Sequence, residues 1–326
     1  MKETGFLSFP TKYYQLPITN YPLPITMTTV AFFDAIEIGL LYALVALGVY
    51  LSFRILEFPD LTVDGSFPLG GAVAATLIIK GINPLLATIM AFFLGTIAGF
   101  LTAFLNVKLK ILNLLASILT MIGLYSINLR IMGAPNLSLL GQNTIITPIE
   151  TALKNIPDVM LHPLWLFLII ILTKLGLDYF LNSELGLALR ATGANIGMAK
   201  AQGIPTDNMI LLGIALSNGL VALGGALFAQ IYGFADVTMG VGTIVFGLAS
   251  VIIGETFLSG KTVQRATLGA IIGAVVYRLA VAIALNVNFL GLQAQDLNLI
   301  TSVLVAIALV LPQYHYRLKT IFKGKS

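Results

Sequence analysis

The chain has 326 residues, of which 58% are hydrophobic and only 10% charged, with a mean hydropathy of +0.96. A soluble domain carries about 25% charge; no soluble core absorbs this much apolar surface, so the composition excludes a soluble protein and demands an integral membrane one. The formal charge of +4 gives no argument for nucleic acid, and the lack of cysteine excludes disulfides and thiolate chemistry.

Residues 1–27 stand apart. Leu16-Pro17-Ile18-Thr19 recurs as Leu23-Pro24-Ile25-Thr26, a short tandem with the composition of an unstructured tail and without the apolar run of a signal peptide. Met27 is the expected native start. A membrane helix needs about 20 apolar residues, fewer where it is broken. Nine spans are expected, at 29–51, 66–79, 85–105, 111–133, 161–181, 208–232, 241–257, 265–286 and 297–312. They form one transmembrane unit over 28–316, followed by a basic tail at 317–326. The fold class is an all-α polytopic membrane protein.

The first and sixth spans are related. Leu44-Val45-Ala46-Leu47-Gly48 returns 176 positions later as Leu220-Val221-Ala222-Leu223-Gly224, and Phe58-x-Asp60-x-Thr62 returns as Phe234-x-Asp236-x-Thr238. Ten of the 21 positions in 43–63 are identical at this offset, where apolar composition alone gives roughly 2. Each copy is an apolar helix ending in a polar break, and each break precedes a short span. Paired discontinuous helices of this kind are a common plan for transporters that alternate access.

Basic residues orient the spans. Arg54, Lys108, Lys110, Arg190, Lys200, Lys261, Arg265, Arg317, Lys319, Lys323 and Lys325 fall on one side; Lys2, Lys12, Lys80, Arg130 and Lys154 fall on the other. The richer side is cytoplasmic by the positive-inside rule. That places the C-terminus inside, gives the two repeats opposite directions, and puts the break at Asp60 toward the cytoplasm and that at Asp236 toward the exterior.

The longest polar segment on the inner side is 182–207. Its pattern predicts a helix through Arg190 toward Gly193, then a short helix capped at Asn195 and stopped at Gly203. The small residues Ala199 and Ala201 suit a helix that docks in a partner's groove; a plain connecting loop is the alternative.

These segments resemble the permease subunits of ATP-binding-cassette importers of the branched-chain amino acid and ribose type, most closely those of tryptophan/tyrosine uptake systems. The likeness is carried by Ala46 to Ile55, Phe58 to Gly70, Glu184 to Ile204, Leu216 to Gly225 and Gly233 to Glu255, and covers roughly 29–312. The resemblance implies that Glu184, Gly186, Arg190, Ala191, Gly193, Ala199 and Gly203 carry a coupling helix for a separate ATPase subunit. It also implies a second permease chain, an extracytoplasmic solute-binding protein and a bacterial inner-membrane location.

No nucleotide site is expected in the chain itself. Gly260-Lys261-Thr262 has Glu255 where a phosphate loop needs glycine, and Gly324-Lys325-Ser326 has Lys319 there. No cofactor or metal is expected, and His162 and His315 read as interfacial anchors. Asp34 and Glu37 read as exposed near the outer end of the first span. Lys174 reads as snorkelling to its inner end. Arg278 lies 13 residues into its span, roughly 20 Å deep, and must find a partner. Asp236 is the expected one, with a carboxylate-binding role as the alternative. Phe58, Asp60, Thr62, Asp64, Ser66, Asn218, Gln230, Phe234, Asp236 and Thr238 flank the breaks; they cap half-helices, line a solute pathway, or both. Paired glycines at 70–71, 95/99, 224–225 and 269/273 read as helix-packing contacts. The competing functional class is an ion-coupled carrier, which needs charge near mid-membrane and no coupling helix. A membrane-embedded enzyme lacks any nucleophile–base arrangement.

Overall fold

The computed structural model describes residues 29–152, 157–258 and 262–286, with 302, 303 and 306. The expected tail over 1–27, all but three residues of the ninth span and the basic tail lie outside the described residues. The rest is almost wholly helical. Helix α1 (Thr29–Val49) continues as a π-helical stretch to Ile55, and α2 (Val63–Ile79) follows a break of seven residues. Next come α3 (Pro84–Val107), α4 (Asn113–Met132), the short strand β1 (Asn136–Ser138), the one-and-a-half-turn α5 (Thr147–Ala152) and the long α6 (Asp158–Asn182). The small helices α7 (Glu184–Ala194) and α8 (Ile196–Ala201) lead into α9 (Thr206–Tyr232). Strand β2 (Phe234–Asp236), α10 (Thr243–Phe257) and α11 (Val263–Asn286) complete the described chain.

Six helices are long and apolar enough to cross a membrane, and two shorter apolar ones, α2 and α10, each follow a repeated break. Helices therefore occupy eight of the nine expected positions. The residue types fix the ends. Asn83 caps α3 by accepting from the Leu85 N–H at 2.9 Å, with Pro84 at the first helical position, where its missing N–H costs nothing. Gly133, at φ 72°, closes α4 in the left-handed conformation that glycine adopts freely.

The two repeat helices, α1 and α9, form the centre. Their most apolar windows are 61% and 67% buried, against 28% for α4 and α6, which form the rim. They cross antiparallel: the Ser217 hydroxyl donates to the Gly48 carbonyl at 2.7 Å, and Gly224 faces Leu41 and Leu44. Close approach depends on missing side chains. A Cβ at Gly70 would overlap the Ala222 carbonyl, and one at Gly225 would overlap the Phe67 carbonyl, so α2 and α9 interlock through two glycines in reciprocal positions. Since lipid offers no hydrophobic drive between helices, contact of this closeness is what holds them. The expected packing role of the glycine pairs is what the structure displays.

The α9 axis also sets the two ends of the bundle. Helix α8 lies just before its start and β2 just after its end, about 40 Å apart at 1.5 Å per residue. At the β end, β1 and β2 pair antiparallel in the register Asn136↔Asp236, Leu137↔Ala235 and Ser138↔Phe234.

Candidate functional site

The repeated break motif folds the same way twice. Asp60 Oδ1 accepts from the Thr62 N–H at 2.9 Å, and Asp236 Oδ1 accepts from the Thr238 N–H at 2.7 Å. In both, a short carboxylate side chain bonds the backbone two residues on, the turn-forming habit of aspartate. The environments differ. Asp60 is 1% exposed, and its second oxygen accepts from Asn218 Nδ2 at 2.6 Å. Asn218 Oδ1 in turn accepts from the Ser66 hydroxyl at 2.7 Å, and the Thr62 and Thr102 hydroxyls lie 2.7 Å apart. Four of the expected pathway residues are thus one buried network joining the first break to α2, α3 and α9. Thr102 is a member that sequence reading missed, because nothing local marks it. Phe58 is buried beside the break. Gln230 is tied to Thr88 Oγ1 at 2.7 Å and to the Ile145 N–H at 3.1 Å.

The second break is wetter. Asp236 bonds the Thr238 hydroxyl and, through its other oxygen, Asn136 Nδ2 at 3.2 Å on the partner strand. Burial pushes its pKa up. The hydrogen bonds from the Thr238 side chain, the Thr238 N–H and Asn136 outweigh that and hold it below the usual carboxylate value. A depressed folded pKa means stability present above the unfolded value of about 3.9 and lost as pH falls through the lower folded value. The protection of the amides at 136–138, taken relative to their intrinsic exchange at each pH, is therefore expected to stay flat from pH 8 to 5 and to fall only below about pH 4; Asp236→Asn should remove that acid step.

The two half-helices meet head to head. Asp64, in the first turn of α2, does not cap its own helix. Its oxygens accept from the Gly242 N–H at 3.2 Å and the Ile244 N–H at 2.8 Å, at the N-terminus of α10. A Cβ at Gly240 would overlap the Asp64 carbonyl. One carboxylate thus sits between two positive helix ends, where negative charge is favoured. Beside it lies a cavity of about 370 Å³ between α2, α4 and the second break, lined by Asp64, Gly65, Met121, Tyr125, Asn128, Val237 and others.

Arg278 does not pair with Asp236, as the carboxylate of Asp236 is taken up by Thr238 and Asn136. The guanidinium carbon instead lies 4.6 Å from the centroid of the Tyr42 ring and 4.4 Å from that of Phe246. Counting residues along α11 gives the depth of Arg278 but not the direction it faces. It faces α1 and α10, and the negative ring faces stand in for a carboxylate. Its Nε is buried without a hydrogen-bond partner.

Three other titratable groups also differ from expectation. Glu37 is buried, 7% exposed, and faces His162 Nδ1 at 3.6 Å, while Nε2 of the same ring lies 2.9 Å from Glu150 Oε1 on α5. His162 therefore bridges three elements rather than anchoring at an interface. Lys174 does not snorkel; it pairs with Asp178 one turn on, and Asp178 also accepts from the Thr267 hydroxyl at 2.7 Å. Glu255 pairs with Arg54 at 2.5 Å, closing the α7 end between α1 and α10. Among the described residues no group of three His, Asp or Glu is placed to hold a metal.

The segment between the halves takes the expected form. Ser183 starts α7 by accepting from the Gly186 N–H at 3.3 Å. Asn195 caps α8 through the Met198 N–H at 2.9 Å, and Gly203 turns the chain at φ 78°. Glu184 is exposed in the first turn of α7. Gly186 lies against Phe180 and Leu181, so that a Cβ would overlap their backbone. Gly193 lies against the Ile55 carbonyl, the last residue of the first helix, with no room for a Cβ. Arg190 and Ala191 line a cavity of mixed character with Arg54 and Glu57. Ala199 is only 3% exposed and packs inward; Met198, at 64%, and Ile196, at 47%, are the large apolar side chains α8 presents, with Ala201 exposed beside them.

Comparison with known proteins places this arrangement. Residues 32–311 match the family of branched-chain amino acid transport system permease components. The chain is 41% identical over 271 residues to a tyrosine transport system permease of Clostridioides difficile, covering 82% of this chain and 86% of the relative. It is 26% identical over 274 residues to the autoinducer 2 import permease LsrC of Yersinia pseudotuberculosis, covering 83% and 74%. Against the ribose import permease RbsC of Escherichia coli it is 25% identical over 260 residues, covering 77% and 76%. No solved structure matches it. The chain belongs to the family of membrane permease components of branched-chain amino acid transport systems.

Proposed function

We propose that the chain is the membrane-spanning subunit of an ATP-binding-cassette importer in a bacterial inner membrane and carries an amino acid with an aromatic side chain. The relatives supply the class, and the tyrosine permease supplies the solute. One observation carries the coupling: α7 rests on the carbonyl of Ile55 without room for a methyl group between them. A push on α7–α8 therefore reaches the end of α1, the Arg54–Glu255 pair and the first break directly. In this reading a separate ATPase subunit docks on α7–α8 at the cytoplasmic end, which the C-terminus shares. A binding protein delivers solute at the β end, and a second copy of the chain completes the pathway. The two halves are inverted repeats whose breaks form the inner and outer mouths, and their rearrangement alternates access. Coupling then requires each partner to bind the two states with different affinity.

The test is uptake of labelled L-tyrosine into proteoliposomes holding the permease, its ATPase and its binding protein. Uptake is expected only with ATP and all three components. Uptake by the permease alone along an ion gradient would establish the ion-coupled carrier instead.

A further inference from the structure

The α7 end of the bundle holds a cavity of about 400 Å³ where four elements meet. Tyr50 and Arg54 line it from the end of the first helix, Arg190 from α7, Glu255 from α10, and Thr262 and Val263 from the start of α11. Its charges do not cancel. Arg54 and Glu255 pair with each other. Arg190, half-buried, has no carboxylate within ion-pair distance among the described residues. Asp178 is taken up by Lys174 and the Thr267 hydroxyl, and Glu57 borders the neighbouring cavity rather than this one. The start of α11, a 24-residue helix, adds positive partial charge. Tyr50 is 5% exposed and lies close enough to Arg190, Arg54 and Glu255 to feel their charges. Its hydroxyl has no hydrogen-bond partner among the described residues. Unlike Arg278 Nε, that oxygen is not sealed from solvent, and a hydroxyl in such a position requires an explanation. One acceptor stands opposite these donors. Glu255 engages Arg54 through Oε1 alone, and its Oε2 is without a partner among the described residues. A free guanidinium and a hydroxyl on one side and an open carboxylate oxygen on the other match a zwitterion. A guanidinium receives a carboxylate as a fork, whereas a phosphate in the same space would face the Glu255 charge. About 400 Å³ suits one amino acid.

We propose that this cavity binds an amino acid by its head group: Arg190 and the Tyr50 hydroxyl donate to the carboxylate, and Glu255 Oε2 accepts from the ammonium. An occupant ties α7 to the end of the first helix, to α10 and to α11 at once, beside the joint where Gly193 meets Ile55. This inference rests on the import reading for its choice of tyrosine, and on the cavity alone for the zwitterion.

The chain has no cysteine, and Thr262 is exposed on the cavity wall, so Thr262→Cys supplies a single reporter. The experiment is the rate at which N-ethylmaleimide labels the purified full-length Thr262→Cys permease in detergent. L-Tyrosine is expected to slow labelling saturably. Tyramine, which has the amine and no carboxylate, 3-(4-hydroxyphenyl)propionate, which has the carboxylate and no amine, and inorganic phosphate should each need about tenfold more for the same protection. Adding Arg190→Gln should raise the half-protecting tyrosine concentration by about tenfold or more, the worth of one hydrogen bond to a charged group. Tyr50→Phe keeps the ring, removes only the hydroxyl and should do the same; it decides alone if the Arg190→Gln protein does not fold. Absence of protection by tyrosine overturns the site, as does equal protection by the propionate, by tyramine or by phosphate. An unchanged half-protecting concentration in folded Arg190→Gln or Tyr50→Phe protein overturns it as well. ATP-driven tyrosine uptake by the complete importer is measured separately, and its failure counts against the import reading and not against the zwitterion site.

Discussion

Gly193→Ala is expected to cut ATP-driven uptake by about tenfold or more while the chain still reaches the membrane and the complex still hydrolyses ATP. The added Cβ would overlap the Ile55 carbonyl. Both partners are backbone, so no side-chain rotation relieves the clash, and α7 must lift away from the end of α1. Overpacking of this kind costs about 1–3 kcal/mol, and each 1.36 kcal/mol lost from a coupled step is about tenfold in rate. The site is a joint between two elements, so the cost falls on transmission rather than on either helix. Met198→Asp provides the complementary test. That side chain is 64% exposed on α8, so the charge leaves the chain's own packing alone and disturbs only what docks there. It should lower both ATPase stimulation and uptake, whereas Gly193→Ala should separate them. Ala199→Asp would distinguish nothing, because Ala199 is buried and the charge would disrupt α8 itself. Measuring phosphate release and tyrosine uptake in the same proteoliposomes decides the matter. Unchanged uptake per ATP in Gly193→Ala would remove α7 from the coupling path.

What the chain reveals on its own divides along the range of the interactions. The turns at Asp60–Thr62 and Asp236–Thr238 join residues two apart, the cap at Asn195 and the stop at Gly203 lie within one helical turn, and all of them are legible in the sequence. Apolar length gives the six membrane-length helices and the two shorter apolar ones for the same reason. The β1–β2 ladder is not legible. It joins residues 100 apart, and three residues of Asn-Leu-Ser carry no strand pattern of their own. Burial is invisible for a similar reason: the two repeated aspartates have the same neighbours in sequence, yet one is sealed beneath Asn218 and the other reaches Asn136. Arg278 shows the limit of counting along a helix, which fixes height and leaves azimuth open. Asn128 was missed because an asparagine within an apolar helix has no distinguishing neighbours. Its bond to the Gly65 carbonyl forms only where α4 lies on α2. The α7–α8 segment is the part of the candidate site most visible in sequence, since its stops and caps are local, but the burial of Ala199 is not.

Asp60→Ala is expected to destabilise the folded permease by about 3 kcal/mol, and Asp60→Asn by only about 1 kcal/mol. Alanine removes the acceptor for the Thr62 N–H and for Asn218 Nδ2, both fully buried, and leaving buried donors without partners is the expensive case. Asparagine can keep the chain of bonds by reversing it. Its Oδ1 accepts from the Thr62 N–H, and its Nδ2 donates to an Asn218 amide turned over. The Ser66 hydroxyl, which now donates to Asn218, accepts from it instead. The bond from Asn218 Nδ2 to the Ile214 carbonyl, at 3.0 Å, is the one lost. The contrast between the two variants therefore tests whether the network acts as a lock. A lock that fixes the first break against α9 loses folded protein in the order alanine, asparagine, parent, seen in melting midpoints in detergent. The half-saturating tyrosine concentration of whatever remains folded should be unchanged within about threefold, since every donor and acceptor of the network is already taken inside the protein. A solute contact at Asp60 would do the reverse, raising that concentration sharply at constant stability. The two carboxylates at the first break thus have different tasks: Asp60 holds the broken backbone in place, and Asp64 ties the start of α2 to the N-terminus of α10.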